Sequence, residues 1–166
     1  MMNLSKSTKV VDKSLKGIAG THYVAAELSR RGYVTLMTSE YTKLVDLLVA
    51  NVKSNKTALI QVKTSYATRN RWQLSDKNES WIGDNLFYAF VYFTGSETPS
   101  IYIVPSKIVA DHITKLNQNW LATPGKKGQG HKANPMRHFY LDKNIPGLDT
   151  FESKEFRSNF DILSLE

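Results

Sequence analysis

The chain has 166 residues, 41% hydrophobic and 22% charged, which predicts a single globular domain spanning residues 1–166. It contains no cysteine, which excludes disulfides, thiolate metal sites, iron–sulfur clusters and cysteine nucleophiles, and favours a reducing cytoplasmic compartment. A formal net charge of +7 favours a polyanionic partner, with nucleic acid first among the candidates, although solubility alone also accounts for such a charge.

The first half of the chain predicts a helix followed by a β-meander. Apolar residues recur at helical spacing over residues 13–31, and Gly32 follows as a terminating residue. Three β-type segments come next, at residues 33–38, 44–51 and 57–64. The polar turn between the last two predicts that they pair antiparallel.

The second half predicts two more strands and a second helix. Residues 65–84 are expected to form a polar linker outside the core, and residues 86–93 and 100–104 to form buried strands. Pro105 and Ser106 open the helix, and the last thirty residues give only weak signals. The order of elements predicts a mixed α/β domain. Its longest apolar run, residues 86–93, is too short to cross a bilayer, so no membrane partner is expected.

The hairpin of the second and third strands brings polar residues together. A turn centred between residues 53 and 54 pairs apolar residues throughout: Val45 with Val62, Leu47 with Ile60, and Val49 with Ala58. On the opposite face Asp46 then lies across from Gln61, and Lys63 joins them because side chains alternate along a strand. The register therefore predicts that three polar side chains converge.

Two interpretations explain an Asp inside this apolar strand. In the first interpretation, this face of the hairpin is solvated, and Asp46 forms an exposed cross-strand ion pair with Lys63 that contributes little to stability. Alternatively, Asp46 supplies a hard oxygen ligand to a divalent metal, and Lys63 supplies a cation beside a phosphate.

Residues 17–65 resemble the PD-(D/E)XK nuclease superfamily, particularly its Holliday-junction-resolvase-like and Mrr-like branches. The resemblance rests on three features in order: a leading helix of the type GxxGExxVxxxLxxxG at residues 17–32, Asp46 at the approach to a strand, and an (E/Q)xK strand formed by Gln61 and Lys63. It implies a restriction-endonuclease-like α/β fold, with a mixed sheet, a leading helix and flanking helices.

The resemblance also implies site residues and a cofactor. Asp46 and Gln61 would bind Mg²⁺ or Mn²⁺, with the Val62 carbonyl as a further oxygen ligand. Lys63 would be the catalytic cation that orients or activates the attacking water in phosphodiester hydrolysis.

The helix departs from the family pattern. Thr21 occupies the position that is commonly Glu, so Asp46 is the one carboxylate of the site unless Glu40 reaches in from the preceding loop. A site with one carboxylate is expected to bind metal weakly and to be completed by phosphate oxygens of bound nucleic acid. A protein that has lost cleavage and only binds is the alternative.

Basic and aromatic residues follow the (E/Q)xK strand. Arg69, Arg71 and Lys77 are the predicted phosphate contacts, and Tyr66 and Trp72 are the predicted stacking surfaces for nucleic acid. A solvated basic loop with one aromatic residue packed onto the core explains the same pattern. The histidines lack metal-ligand spacing, so the sequence gives no support for a histidine metal site. The absence of GxSxG and GxGxxG motifs argues against an acyl-transfer hydrolase and a dinucleotide-dependent enzyme.

The sequence thus predicts a metal-dependent nuclease-like protein that acts on nucleic acid, with double-stranded DNA as the first choice and a homodimer as one assembly. A non-catalytic DNA-binding module on the same fold is the second hypothesis. An interaction protein whose basic surface meets an acidic partner is the third.

Overall fold

A computed structural model describes residues 12–39, 42, 44–66, 71–94, 98–143, 145 and 151–166. The elements are, in chain order, α1 (Lys13–Arg30), β1 (Val34–Met37), β2 (Leu47–Asn51), β3 (Lys56–Ser65), β4 (Arg71–Ser75), a 3-10 helix (Asp76–Glu79), β5 (Leu86–Tyr92), β6 (Ser100–Pro105), α2 (Ser106–Ala122), β7 (Met136–Tyr140) and a second 3-10 helix (Asp161–Leu163).

The main sheet has five strands in the order β1-β2-β3-β5-β6. All neighbours are antiparallel except the central pair, β3 and β5. Parallel neighbours need a crossover, and this one contains β4 and the first 3-10 helix. β4 pairs antiparallel with the distant β7, and we call this two-stranded sheet the β4–β7 ribbon. The mixed α/β architecture predicted from the sequence is confirmed.

A hydrophobic core lies on each face of the main sheet. On one face, Val24 and Leu28 of α1 pack with Leu47 and Ile60, and all four are fully buried. On the other face, α2 and the inner side of the β4–β7 ribbon cover a second, aromatic cluster that includes Tyr88 and Phe90. The sheet is thus enclosed between α1 on one face and α2 with the β4–β7 ribbon on the other, and both of its faces are buried.

Gly20 allows α1 to approach β3 closely. A Cβ at this position would overlap the hydroxyl of Thr64, so a side chain there would push the helix away from the strand. Thr64 follows Lys63 directly, and this contact therefore sets the distance between the leading helix and the strand that carries Gln61, Val62 and Lys63.

The first half of the chain matches its sequence-based prediction closely. α1 ends within one residue of the predicted position, and Gly32 adopts the left-handed conformation (φ 89°) expected of a terminating glycine. The hairpin register pairs Leu47 with Ile60 and Val49 with Ala58, as predicted. Within the part of the chain that the structure describes, no helix combines the length and the apolarity that crossing a membrane requires.

The prediction for residues 65–84 was wrong. This segment forms β4, whose Trp72 and Leu74 are buried in the second core, and the 3-10 helix that contains the buried Asn78. The partner strand β7 lies in the last part of the chain, where the sequence pattern favours no particular element. β4 alternates polar and apolar residues, whereas β7 alternates in burial only, with Arg137 and Phe139 on its buried side. The burial of both strands therefore follows from pairing with each other over a long sequence distance rather than from high local hydrophobicity.

Candidate functional site

Asp46 lies immediately before β2, where the hairpin ladder ends. Its backbone N–H donates to the Ile60 carbonyl (2.9 Å), and its carboxylate Oδ2 accepts a hydrogen bond from the Val62 backbone N–H (2.7 Å). The continuous ladder stops at the Leu47–Ile60 pair, so the predicted Val45–Val62 pairing is replaced by this side-chain contact. The carboxylate is thereby fixed against β3 between the positions of Gln61 and Lys63.

Asp46 and Lys63 are partly buried charges that influence each other. Burial raises the pKa of the Asp46 carboxyl, while the Val62 N–H and the Lys63 ammonium lower it. Burial likewise lowers the pKa of Lys63, and the Asp46 carboxylate raises it. Among the described residues, neither group has a direct ion-pair partner. A cation bound at Asp46 and an anion bound at Lys63 would neutralise both.

Gln61 is almost completely buried, with 5% of its surface exposed. Its Oε1 accepts a hydrogen bond from Asn78 Nδ2 (3.0 Å), and the same nitrogen donates to the Tyr88 hydroxyl (2.9 Å). Gln61 Nε2 makes no hydrogen bond within the described ranges. The side chain therefore keeps a free amide nitrogen and one remaining lone pair on its oxygen.

Asn78 fixes the orientation of the Gln61 amide. Asn78 Oδ1 accepts hydrogen bonds from the Ser75 backbone N–H (2.9 Å) and from the Ser75 hydroxyl (3.1 Å). A backbone N–H can only donate, so the Asn78 oxygen must face Ser75 and its NH₂ group must face Gln61. The Gln61 oxygen consequently turns toward Asn78.

Sequence reasoning missed Asn78, although a signal was present. Ser75 and Asn78 have the spacing of a capping box at the start of a short helix. The pattern locates the helix start, but the contact with Gln61 depends on tertiary structure.

Thr21 lies on α1 directly after Gly20, the residue in contact with Thr64. Its hydroxyl donates to the Gly17 carbonyl of the preceding turn (3.3 Å), and the side chain is partly buried. Glu40, the other candidate for a second carboxylate, lies outside the described residues.

The predicted nucleic-acid contacts have different environments. Arg71 and Lys77 are exposed, whereas Trp72 is 2% exposed and its indole N–H donates to the Val91 carbonyl (3.0 Å). Trp72 is therefore a core residue, and its assignment as a stacking surface was wrong because it points to the inner side of the ribbon. Arg69 lies outside the described residues.

The donor set fits a hard divalent cation only as an incomplete site. In the described segments, no group of three or more His, Cys, Asp or Glu side chains could hold a metal. Asp46 nonetheless offers a carboxylate oxygen beyond the one bonded to Val62, and Gln61 offers a neutral amide group beside it on β3. Mg²⁺ is commonly held by one or two carboxylates with water and substrate phosphates, so these residues fit a site that the substrate completes.

Comparison with known proteins identifies the fold. No protein family matches the sequence, and no curated protein does. Among solved structures, the chain is similar to a bacterial homing endonuclease, I-Ssp6803I, with a TM-score of 0.57 and 14% sequence identity over 93% of this chain and 94% of that chain. At this identity the likeness concerns the fold, and it confirms the nuclease-like architecture.

Proposed function

We propose that this protein hydrolyses phosphodiester bonds of DNA at Asp46, Gln61 and Lys63, in the manner of PD-(D/E)XK nucleases and with Mg²⁺ or Mn²⁺ as cofactor. The observation that carries the proposal is the Asp46 carboxylate held on the Val62 N–H, between the two polar residues of the (E/Q)xK strand. The similarity to a homing endonuclease over nearly the whole chain supports it, as does the net charge of +7.

Each side chain has a role that follows from its environment. Asp46 and an oxygen from Gln61 or Val62 would hold the metal, which when bound polarises the phosphate and lowers the pKa of water. Lys63 would hold a phosphate oxygen or orient the attacking water, because a partly buried ammonium stabilises negative charge more strongly than an exposed one. The Val62 N–H keeps the Asp46 carboxylate in place.

Plasmid nicking tests the proposal. The wild-type protein is expected to nick supercoiled DNA with Mn²⁺ or Mg²⁺ and not with EDTA. Asp46→Asn and Lys63→Ala are expected to lower the rate by at least ~100-fold, as for removal of one group that stabilises transition-state charge. Two exposed positions provide matched controls, Asp111→Asn on α2 and Lys53→Ala in the β2–β3 turn, and both should nick like the wild type. Equal nicking by Asp46→Asn and Asp111→Asn would reject the site.

Metal binding separates the two roles. Calorimetric titration with Mn²⁺ in the presence of a short DNA duplex should show loss of binding in Asp46→Asn and retention in Lys63→Ala. The duplex is included because the site is expected to need phosphate oxygens.

A second candidate function is DNA binding without cleavage. The observation that favours it is that Asp46 is the single carboxylate at the site among the described residues, with Thr21 at the position of the usual Glu. This alternative predicts a salt-sensitive shift of duplex DNA with no metal-dependent nicking at any protein concentration. A homodimer that presents one site to each strand stays a prediction, and light scattering measures it.

A further inference from the structure

The β4–β7 ribbon has two chemically different faces. On its inner face, Trp72 and Leu74 of β4 and Phe139 of β7 are buried in the second core. Its outer face carries polar and aromatic side chains at alternating positions: Arg71, Gln73, His138 and Tyr140. Because the core already fixes the inner face, the outer one is a rigid platform with side chains at defined spacing.

The outer face pairs these side chains across the two strands. Arg71 lies opposite Tyr140, and Gln73 lies opposite His138. Arg71 and Gln73 are exposed. Both are residues with paired hydrogen-bonding groups: Arg can donate two parallel bonds to guanine, and Gln can bond adenine through its oxygen and its nitrogen.

The electrostatic surroundings of this face are positive. Lys143 lies over the Tyr140 ring, with its ammonium 4.0 Å from the ring centroid. Burial lowers the pKa of His138, and the nearby charges of Arg71 and Lys143 lower it further. Cations beside this strand pair match the negative potential of a nucleic-acid groove.

We propose that the outer face of the β4–β7 ribbon lies in the major groove of duplex DNA, where Arg71 and Gln73, flanked by His138, contact base edges. The proposal rests on the DNA-directed function proposed above and assigns the sequence-reading surface of that function. A B-form major groove, about 12 Å wide, admits a two-stranded ribbon. The major groove of A-form RNA is too narrow and deep for side chains to read, so the partner is DNA.

The ribbon is connected directly to the catalytic residues. Ser75 ends β4, and its backbone N–H and hydroxyl bond the Asn78 oxygen, while the Asn78 nitrogen bonds Gln61. Arg137 of β7, itself almost fully buried, pairs with Glu79 of the same 3-10 helix. Both strands of the ribbon are therefore tied to the helix that holds Gln61, so that base contacts and the site belong to one rigid unit.

Selection from a randomised duplex DNA library tests the inference. The full chain, in EDTA so that no DNA is cleaved, is expected to enrich a defined base pattern. Arg71→Ala and Gln73→Ala should each lower discrimination about 5- to 100-fold at one or two base pairs and leave the rest of the pattern intact. Lys53→Ala and Gln118→Ala, which replace exposed residues away from the ribbon, serve as controls and should enrich the wild-type pattern.

The outcomes distinguish this inference from the proposed function. Three results would reject the proposal that the ribbon contacts base edges. They are an unchanged base pattern in Arg71→Ala and Gln73→Ala, the absence of any pattern for the wild type, and equal competition by duplex RNA. Reduced discrimination at one or two base pairs in the two ribbon variants, with the rest of the pattern kept, supports the proposal, even if plasmid nicking proves independent of Asp46 and Lys63. In that case the catalytic proposal fails alone. Urea unfolding midpoints equal to the wild type confirm that the exposed substitutions left the fold intact.

Discussion

Asn78 joins the ribbon to the site, and its replacement by Ala should destabilise the whole domain. Four hydrogen bonds disappear in Asn78→Ala: two from Ser75 and one each to Gln61 and Tyr88. All four partner groups belong to residues that are buried or partly buried: Ser75, Gln61 and Tyr88.

The size of the effect follows from these bonds. A neutral hydrogen bond contributes about 0.5 to 1.5 kcal/mol net, so four contribute about 2 to 6 kcal/mol. The lower end applies if water enters to satisfy the Ser75 N–H and the Gln61 oxygen. Since domains are stable by about 5 to 15 kcal/mol, this loss is a large part of the total.

Urea unfolding followed by circular dichroism measures the change. Tyr88→Phe is the matched control because it removes a single one of the four bonds, and we expect it to cost about 1 kcal/mol. Asn78→Asp keeps an acceptor for Ser75 but cannot donate, so the Gln61 amide is expected to turn its nitrogen toward this position. An Asn78→Ala protein that unfolds at the wild-type urea concentration would contradict this prediction, since no buried group would then depend on Asn78.

Three further predictions concern α1 and α2. Thr21→Glu should raise Mn²⁺ affinity in calorimetry because a carboxylate binds a hard dication better than a hydroxyl does. Thr21→Gln is the neutral control of similar size, and identical Mn²⁺ titrations of the two variants would contradict the prediction. Gly20→Ala should lower the free energy of unfolding by ~1–3 kcal/mol through overlap with Thr64, and Thr64→Ala in the same chain should restore part of the loss in urea unfolding; no restoration would rule out the overlap. Burial, aided by the charge of Lys115, lowers the pKa of His112 to about 4. Below about pH 6.5 the unfolded chain therefore binds a proton at His112 that the folded chain does not bind, so the free energy of unfolding should decrease as the pH falls from 6.5 toward 4. His112→Phe should flatten that decline between pH 7 and pH 5, and an unchanged slope would show that His112 titrates normally.

The parts of the structure that depend on local pattern could be predicted from the sequence. The α1 boundaries follow from helical spacing and from Gly32, and the β2–β3 register follows from apolar residues that face each other only in one alignment. Since Asp46, Gln61 and Lys63 all lie in this hairpin, the same register brings the candidate site together.

The parts that depend on distant pairing could not be predicted in the same way. β4 alternates polar and apolar residues, but β7 does not, because its buried side carries Arg137 as well as Phe139. Neither strand shows from its own sequence how it is covered until the other is placed beside it. Trp72 was assigned to nucleic acid because its neighbours are basic, whereas period-two alternation would have separated Trp72 from the exposed Arg71. The burial of Asn78 depends on Gln61 and Tyr88, which come from two other strands.

The separation of β4 and β7 along the chain has a consequence for folding kinetics. Pairing them closes a loop of residues 76–135, whereas β1, β2 and β3 pair through short connections. Loop-closure entropy delays contacts between distant segments, so we expect amide protection to arise first in the β1–β3 meander and last in the ribbon. During synthesis, a nascent chain that has not reached Met136 already contains Asp46, Gln61 and Lys63. It lacks the second strand of the ribbon, so the surface assigned to base recognition is completed only after the residues assigned to cleavage have been made.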